Sequence, residues 1–518
     1  MCGIFGFYGS DMNRLQKMAY AMRMRGPDDM AFYMDDKVSL GMVRLAIVDR
    51  QKGKQPFVSE NGNIIVFYNG EIYNWNDLIL PMHTYNTDCD GEVLPHLYEE
   101  YGGNFVDYLR GMYAICVYQK DIGKYSLFRD PAGVKPLYNS PRGFASTTNA
   151  LYKRGIDSTS IEVYRGFGHA PHDTVYCSGI EAVPTAKRGR IWRTMGLEQE
   201  FCNAVKMRMV ADRVPGLFLS GGLDSTTVLH EMVKHVSDPA LINTFTLCYT
   251  DSIPGKDADR AMAAQMAKYY STTHHEVSIS SDDVWDALPD IALAFDQPFA
   301  GCISTWFLAR EAKKTVDCVL TGDGADELFG SYLVHRIAAQ KPTVPISRWR
   351  KGFLGNGRTC RIEDMLLDID TTEGDDALAK LLRWEWENTF QLGVLAFSDI
   401  LSMSHALEIR SPFVDRFVVQ EAFALPSNEK INLGSTKVAL HQLATKLGVP
   451  PQVICRAKEG FVQPSLYWLK TKWKDRVMAI NNSDVKSVAE KYYSGREDLG
   501  MDLWREINLH IWREECNV

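Results

Sequence analysis

The sequence has no Cys-x-x-Cys pair, no apolar run fit to span a bilayer and no surplus of positive charge. Each absence removes a class of protein. Its eleven cysteines are an odd number, scattered without metal-ligand spacing. That argues against a zinc site and a disulfide scaffold, and fits a reducing cytosol. No stretch approaches the roughly 18 apolar residues of a membrane helix. A net charge of −8 leaves no basic footprint for nucleic acid. The opening residues, Met1-Cys2-Gly3-Ile4-Phe5-Gly6, lack a basic region and a cleavage site. No signal peptide is expected there, and the location expected is cytoplasmic. What remains is ordinary globular composition, 45% hydrophobic and 24% charged over 518 residues, enough for about two to four domains.

One stretch organises the rest: Ser220-Gly221-Gly222-Leu223-Asp224-Ser225-Thr226. It follows Leu217-Phe218-Leu219, which predicts a buried strand. It precedes Val228, Leu229, Met232, Val233 and Val236, which share one helical face. Strand, glycine turn and hydroxyl-rich helix start present free backbone N–H groups to an anion. Gly221 and Gly222 allow close approach, and Ser220, Ser225 and Thr226 add hydroxyl donors. No Gly-Lys-Ser/Thr follows, which excludes the loop type whose lysine reaches the terminal phosphates. The competing reading is a plain strand-to-helix turn; the full run with its internal Asp224 favours anion binding. The run resembles the pyrophosphate loop of ATP-pyrophosphatase enzymes, which cleave ATP to AMP and pyrophosphate.

At the other end, Cys2 stands directly after Met1. Cysteine is small, so removal of Met1 is expected, leaving Cys2 as the first residue. Its α-amino group, with a pKa of about 8, then lies beside the thiol and can take its proton. The alternative is a buried apolar cysteine. Three further motifs bear on the choice. Arg25-Gly26-Pro27-Asp28 is a turn with one fixed cation. Arg44 leads the strand-like Leu45-Ala46-Ile47-Val48-Asp49. Tyr68-Asn69-Gly70-Glu71-Ile72-Tyr73-Asn74 groups an amide, a glycine and a carboxylate at a strand end. An amino-acid substrate needs such parts: an arginine for its α-carboxylate, acids for its α-amine and donors for a tetrahedral oxyanion.

Together with Met1-Cys2-Gly3-Ile4, these motifs resemble the class II glutamine amidotransferase domain, an N-terminal-nucleophile hydrolase. The resemblance implies an α+β sandwich of two stacked antiparallel sheets with flanking helices. It assigns Cys2 as the nucleophile on the glutamine amide, Arg44 to the glutamine α-carboxylate, and Asn69 and Gly70 to the oxyanion hole. Glu71 and Asp90, the latter in Asp88-Cys89-Asp90-Gly91-Glu92-Val93, take the α-amine. Leu109-Arg110-Gly111-Met112-Tyr113-Ala114 and Arg129-Asp130-Pro131-Ala132-Gly133-Val134-Lys135-Pro136-Leu137-Tyr138 match later strands and are read as core and turn. Met24 departs from a family His, which alters a loop over the glutamine site, and Thr147 departs from a family Glu.

Residues from about 151 to 195 lack periodicity and are rich in Gly, Pro and basic residues, including Lys187-Arg188-Gly189-Arg190. They read as a connecting segment. A boundary near 190 gives domains 1–190 and 191–518. Thr244-Phe245-Thr246-Leu247-Cys248-Tyr249 and Cys318-Val319-Leu320 predict two more buried strands. Helices are expected at about 259–270, 284–295 and 305–313. Alternating strands and helices imply an α/β doubly wound parallel sheet, whose ligands bind at the strands' carboxyl ends. The loop at Ser220 and a second at Thr321-Gly322-Asp323-Gly324-Ala325-Asp326 both sit at such ends, so they can face one another. Asp224 and Asp326 are the carboxylates that would hold Mg²⁺ against ATP phosphates; Asp326 also fits a helix N-cap. Leu219 and Leu247 are placed beside the adenine, with Thr321 and Gly322 lending close backbone approach. The stretch from 341 to 380 has little signal and is read as an insertion or helical excursion.

Farther on come Ser402-Met403-Ser404-His405-Ala406-Leu407-Glu408-Ile409-Arg410-Ser411-Pro412-Phe413-Val414-Asp415 and Arg456-Ala457-Lys458-Glu459-Gly460-Phe461. The set from Ser220 through Phe461 resembles the synthetase domain of glutamine-dependent asparagine synthetases. The resemblance makes Lys458 the catalytic lysine, whose point charge neutralises the phosphates as pyrophosphate leaves. It gives Asp323, a Glu in some members, the deprotonation of the attacking ammonia. The implied reaction has two halves. Cys2 releases ammonia from glutamine through a thioester. A substrate carboxylate attacks the α-phosphorus of MgATP, and ammonia arriving through an interior tunnel displaces AMP from the acyl-adenylate. The implied ligands are glutamine, ATP, Mg²⁺ and a carboxylate such as aspartate, with no nucleic acid or membrane; a homodimer is left open. Three alternatives stay open: another carboxylate acceptor, an intramolecular amide-forming ligase of the β-lactam synthetase kind, and a non-catalytic glutamine or nucleotide sensor on the same fold.

Overall fold

The structure, a computed structural model, describes residues 2–151, 155–169, 177–186, 193–254, 257–346, 368–456 and 464–516. The N-terminal half contributes β1 (Gly3–Tyr8), β2 (Asp29–Met34), β3 (Val38–Arg44), β4 (Phe57–Val58), β5 (Ile64–Ile72), β6 (Gly111–Gln119), β7 (Lys124–Arg129), β8 (Tyr138–Ser140), β9 (Gly143–Ala145) and β10 (Glu181–Ala182). They form two antiparallel sheets, ordered β10-β8-β9-β1-β3-β2 and β4-β5-β6-β7.

Alternation along the strands explains how these sheets pack. Ile65 and Phe67 of β5 and Ala114, Cys116 and Tyr118 of β6 meet Cys2, Ile4, Leu40 and Met42 in a core between the sheets. The alternate residues Val66 and Tyr68, with Tyr113, Ile115 and Val117, face the helix Val93–Tyr101. Phe5 and Phe7 face Leu15 and Met18 of the helix Met12–Ala21, whose first turn is capped by the Asp11 side chain accepting from the Arg14 N–H at 2.9 Å. The layers therefore run helix, sheet, sheet, helix.

The C-terminal half is built on β11 (Gly216–Phe218), β12 (Asn243–Tyr249), β13 (Thr273–Ile279), β14 (Cys318–Leu320) and β15 (Glu408–Arg410). Their order is β13-β12-β11-β14-β15, and every neighbouring pair is parallel. Both faces are covered. The helices Ser281–Phe295 and Ser304–Ala312 pack on Phe245 and Val319. The helices Leu223–Met232 and Asp257–Tyr269 pack on Leu217 and Leu320. Coverage on both sides is why these strands read as apolar runs.

Two strands of this parallel sheet escaped the sequence reading. β13 is an edge strand, and only Val277 and Ile279 of its seven residues are buried. β15 is three residues long and carries Glu408 and Arg410, both fully buried, which neutralise each other. Of the stretch expected as an excursion, 347–367 lies outside the described residues; its end begins the helix Ala377–Glu385. That helix continues through a ten-residue π-helical segment, Trp386–Leu395, into the helix Ala396–Met403. The boundary expected near 190 falls at 187–192, also outside the described residues.

Candidate active sites

The first site lies where β1 begins and β3 and β5 end. Cys2, Arg44, Gly70, Glu71 and Asp90 line one pocket, along with Gln55 and Tyr68. Asn69 points at Cys2 from β5: its Oδ1 accepts from the Cys2 backbone nitrogen at 2.9 Å. Its Nδ2 is buried and, among the described residues, has no hydrogen-bond partner, so the side chain that bonds Cys2 keeps an amide donor unused. Gly70 has φ +151, and a Cβ there would stand 1.9 Å from the Met112 carbonyl oxygen. Only glycine lets the strand pass this close to its neighbour. Burial raises the Cys2 thiol pKa, opposed by the N-terminal charge, the Leu45 N–H and Arg44. The thiol is therefore protonated at rest and needs a base.

Arg44 donates to the carbonyls of Arg50 and Asp49 at 3.1 and 3.0 Å. Those bonds fix the guanidinium, and among the described residues it is paired with no carboxylate. Asp90 is tied more fully. Its carboxylate accepts from the Tyr68 hydroxyl and from the Ile72 N–H at 2.6 Å. Gln55 props the same wall, its side chain accepting from Tyr68 N at 2.7 Å and donating to Tyr68 O at 2.9 Å. Met24, on the neighbouring turn, is exposed, and Thr147 keeps a buried hydroxyl with no partner among the described residues.

Glu71 reaches across to the other half of the chain. Its Oε1 lies 3.0 Å from Arg410 Nη2, and Arg410 Nε donates to Glu408 Oε1 at 2.6 Å. Burial raises the Glu71 pKa well above the carboxylate range, with Glu408 and Asp90 adding to it and Arg410 opposing. Arg25 makes a second crossing: Nε donates to the Cys2 carbonyl at 3.2 Å and Nη2 to Asp399 at 2.8 Å. Lys135 lies 3.4 Å from the same Asp399 carboxylate. A third knot joins Arg110 and Arg208 to Asp415, with Arg110 also bonded to Glu200.

The second site lies at the carboxyl ends of β11 and β14. Gly221 has φ +70, and a Cβ there would meet Ala263 N at 2.6 Å. Ser225 Oγ accepts from Ser220 N at 3.2 Å and Ser220 Oγ from Gly222 N at 3.3 Å, which hold the loop's shape. Gly222 caps the helix Leu223–Met232 with no side chain to occupy its first N–H groups. The two glycine loops touch: a Cβ on Gly322 would stand 2.8 Å from Asp224 Cβ and 3.1 Å from Ser225 N. Leu219, just past β11, and Leu247, within the neighbouring β12, are both buried. Thr321 Oγ1 and Ser398 Oγ each donate to Asp323 Oδ2 at 3.0 Å. Burial raises the Asp323 pKa, the two hydroxyls opposing.

Asp224 and Asp326 converge on one cation that the sequence did not single out. Lys437 Nζ lies 2.7 Å from both Asp224 oxygens and 2.6 Å from Asp326 Oδ1. Burial lowers the lysine pKa and the two aspartates raise it further, so it stays charged. Two carboxylates beside an uncapped helix start are a donor set Mg²⁺ takes from proteins, and Lys437 would share them with the ion. Lys458 lies outside the described residues. Arg456, two residues before it, pairs with Asp259 at 2.7 Å and donates to the Gly221 carbonyl at 3.5 Å, which places Arg456 beside the glycine loop. Lys437, Asp399 and Gln55 sit in no recognisable local motif, and Arg410, inside the Ser402–Asp415 run, was given no role there. For Arg410 the one sequence signal was two charges, Glu408 and Arg410, inside an otherwise apolar stretch.

Comparison with known proteins places both halves. A profile of the family described as asparagine synthase matches residues 196–512, and one described as a glutamine amidotransferase domain matches residues 1–201. The chain is 26% identical to asparagine synthetase [glutamine-hydrolyzing] 1 of Bacillus subtilis, over 99% of this chain and 96% of that protein. Identity is 27% to asparagine synthetase [glutamine-hydrolyzing] 3 of the same organism, over 89% and 87%. It is 31% to asparagine synthetase [glutamine-hydrolyzing] 1 of Arabidopsis thaliana, over 83% and 71%. Among the described residues, no helix is long and apolar enough to cross a membrane.

Proposed function

Since the chain belongs to the asparagine synthase family and carries a glutamine amidotransferase domain ahead of the synthase region, we propose that it converts aspartate to asparagine. Glutamine supplies the ammonia, and ATP is cleaved to AMP and pyrophosphate. The glutaminase half takes the N-terminal-nucleophile fold, with the boundary to the synthetase half near residue 190. The observation that carries the reading is the convergence of Cys2, Arg44, Gly70, Glu71 and Asp90 on one pocket.

With Met1 removed, the Cys2 amine donates to Asn69 Oδ1 and keeps its lone pair for the thiol proton. The thiolate attacks the glutamine amide carbon, and the oxyanion is met by Asn69 Nδ2 and the Gly70 N–H. The amine passes the proton to the leaving ammonia, and water then hydrolyses the thioester to glutamate. Arg44 takes the α-carboxylate. Glu71 and Asp90 take the α-amine, whose positive charge offsets the burial that now holds the Glu71 pKa high.

In the second half, the aspartate β-carboxylate attacks the α-phosphorus of ATP and pyrophosphate leaves along the Ser220–Ser225 loop. Asp224 and Asp326 would hold Mg²⁺, which supplies charge neutralisation to the phosphates when bound. Lys437 and Lys458 add fixed positive charge. Ammonia then attacks the acyl carbon, Asp323 takes its proton, and AMP leaves. Its route runs inside the chain, past the helix Ala396–Met403, whose Asp399 pairs with Arg25 beside Cys2 and whose Ser398 donates to Asp323.

Pyrophosphate release with MgATP and ammonium tests this, run with aspartate and with a panel of other carboxylates, with the amide product identified by mass. Release with aspartate and formation of asparagine support the reading; release with another acid alone moves the enzyme to that acceptor. Cys2→Ala should abolish glutamine-dependent synthesis and spare the ammonia-dependent reaction. Loss of both would make Cys2 structural.

A further inference from the structure

Away from both sites, four metal-ligating side chains of the N-terminal half converge. Glu60 lies between β4 and β5, and His83 on the connection from the turn Trp75–Leu78 to Asp90. His96 and Glu99 lie on the helix Val93–Tyr101. One donor atom from each lies within 4.8 Å of the other three. His96 is 1% exposed. Its Nδ1 is 3.2 Å from Glu60 Oε2 and 4.0 Å from Glu99 Oε2, yet among the described residues no hydrogen bond is aligned with it. His83 Nδ1 is 3.2 Å from Glu60 Oε1, and among the described residues its buried Nε2 likewise makes no hydrogen bond, although Glu100 Oε1 stands 3.4 Å away. The two imidazole rings are 4.7 Å apart.

We propose that Glu60, His83, His96 and Glu99 form a Zn²⁺ site. Two imidazoles and two carboxylates are a borderline donor set, which suits Zn²⁺ and its neighbours better than the all-oxygen preference of Mg²⁺ or Ca²⁺. Bonds of about 2.0–2.2 Å in a tetrahedron set donor spacings of roughly 3.3–3.6 Å. The Glu60–His83 and Glu60–His96 spacings are already near that. The wider spacings close by rotation of the carboxylates, of which Glu60 is 41% exposed.

Neighbouring groups hold the carboxylates in place. The Thr84 N–H donates to Glu60 Oε1 at 2.8 Å. Asn61 Nδ2 orients Glu99 Oε1 at 2.8 Å. Such outer contacts are what aim ligands in metal sites. Cysteine spacing pointed away from zinc because this site uses no cysteine. Its role is to clip the β4–β5 turn and the loop around His83 onto the helix that follows Asp90, and so to brace one wall of the first pocket.

The test uses the full-length protein, stripped with chelator and titrated with Zn²⁺ against a chromophoric competitor, in parallel with His83→Ala and Glu60→Gln. Glu60 is exposed and His83 partly buried, so these variants disturb the fold less than a change at the buried His96 would. Wild type should bind one more equivalent than either variant. Zn²⁺ should raise its melting temperature and leave theirs unchanged. Co²⁺ should give it the intense visible band of a tetrahedral site, absent from both variants. Equal stoichiometry and affinity in all three proteins, or only weak octahedral Co²⁺ absorption, would overturn the proposal.

Discussion

Arg410→Met is the sharpest probe of how the two halves are joined. Arg410 is fully buried. It bonds Glu408 at 2.6 Å, the carbonyls of Arg208 and Val210 at 3.0 and 2.6 Å, and lies 3.0 Å from Glu71. Burial alone would lower the guanidinium pKa; Glu71 and Glu408, with Cys318 between them in effect, more than offset it and raise the value. Methionine restores much of the volume and none of the charge. Glu408 is then sealed from water without its cation, and Glu71, which burial already pushes toward its neutral form, loses the charge that most opposes that shift. Removing one partner of a buried ion pair costs about 3–5 kcal/mol. At about 2–4 °C per kcal/mol for a domain of this size, the melting temperature should fall by roughly 6–20 °C.

The sign with pH follows from the carboxylates. In the intact protein burial raises the Glu408 pKa, but Arg410 outweighs it, so the net shift is downward. That stability is present above the unfolded value of about 4.3 and is lost as pH falls through the depressed folded one. In the variant burial acts unopposed, and the folded pKa lies above the unfolded one. The penalty is then absent below about pH 4.3 and grows as pH rises through the new folded value. Melting curves from pH 5 to pH 8 should show the gap between the two proteins widening upward. Adding Glu408→Gln to the variant should recover about half of the loss. A change within about 2 °C at pH 7, with no pH trend and no rescue, would refute the reasoning.

Lys437→Met should leave glutaminase turnover within about twofold and reduce pyrophosphate release by at least about a hundredfold, because Asp224 and Asp326 lose the ammonium between them; equal release would remove Lys437 from the site. Gly70→Ala should lose glutamine-dependent activity and destabilise the N-terminal half, since its Cβ would stand 1.9 Å from a carbonyl oxygen. Circular dichroism and the ammonia-dependent assay would separate the two effects.

What the sequence disclosed was chemistry that depends on contiguous backbone. Ser220 through Thr226 must be strand, turn and helix start in succession, and the positive φ of Gly221 can be foreseen from the turn itself. Asn69-Gly70-Glu71 sends Asn69 to Cys2 and leaves Gly70 against β6 because successive strand residues alternate. The strands with two covered faces were visible as apolar runs; β13, half exposed, and β15, charged and short, were not. Lys437 meets Asp224 across 213 residues and Arg25 meets Asp399 across 374. No window on the chain holds both members of such a pair, and a lone Lys or Arg reads as a solvated side chain.

The crossings between the halves share one design. Asp399 is held by Arg25 and Lys135, Asp415 by Arg110 and Arg208, and Arg410 by Glu71 and Glu408. In each, a buried charge meets two of opposite sign, with at least one supplied from each side or from the adjoining helix. Well-packed apolar residues would stabilise such an interface as much or more, because burying ions costs desolvation. They would also tolerate sliding, which a doubly paired charge does not, since any shift leaves it unpaired in low dielectric. Register matters here because the ions are bonded to the sites themselves: Arg25 to the Cys2 carbonyl, Arg410 to Glu71, and the helix of Asp399 to Asp323 through Ser398. An interface that fixes position to within a hydrogen bond keeps Cys2 and Asp323 at a constant separation, which the proposed passage of ammonia between them requires.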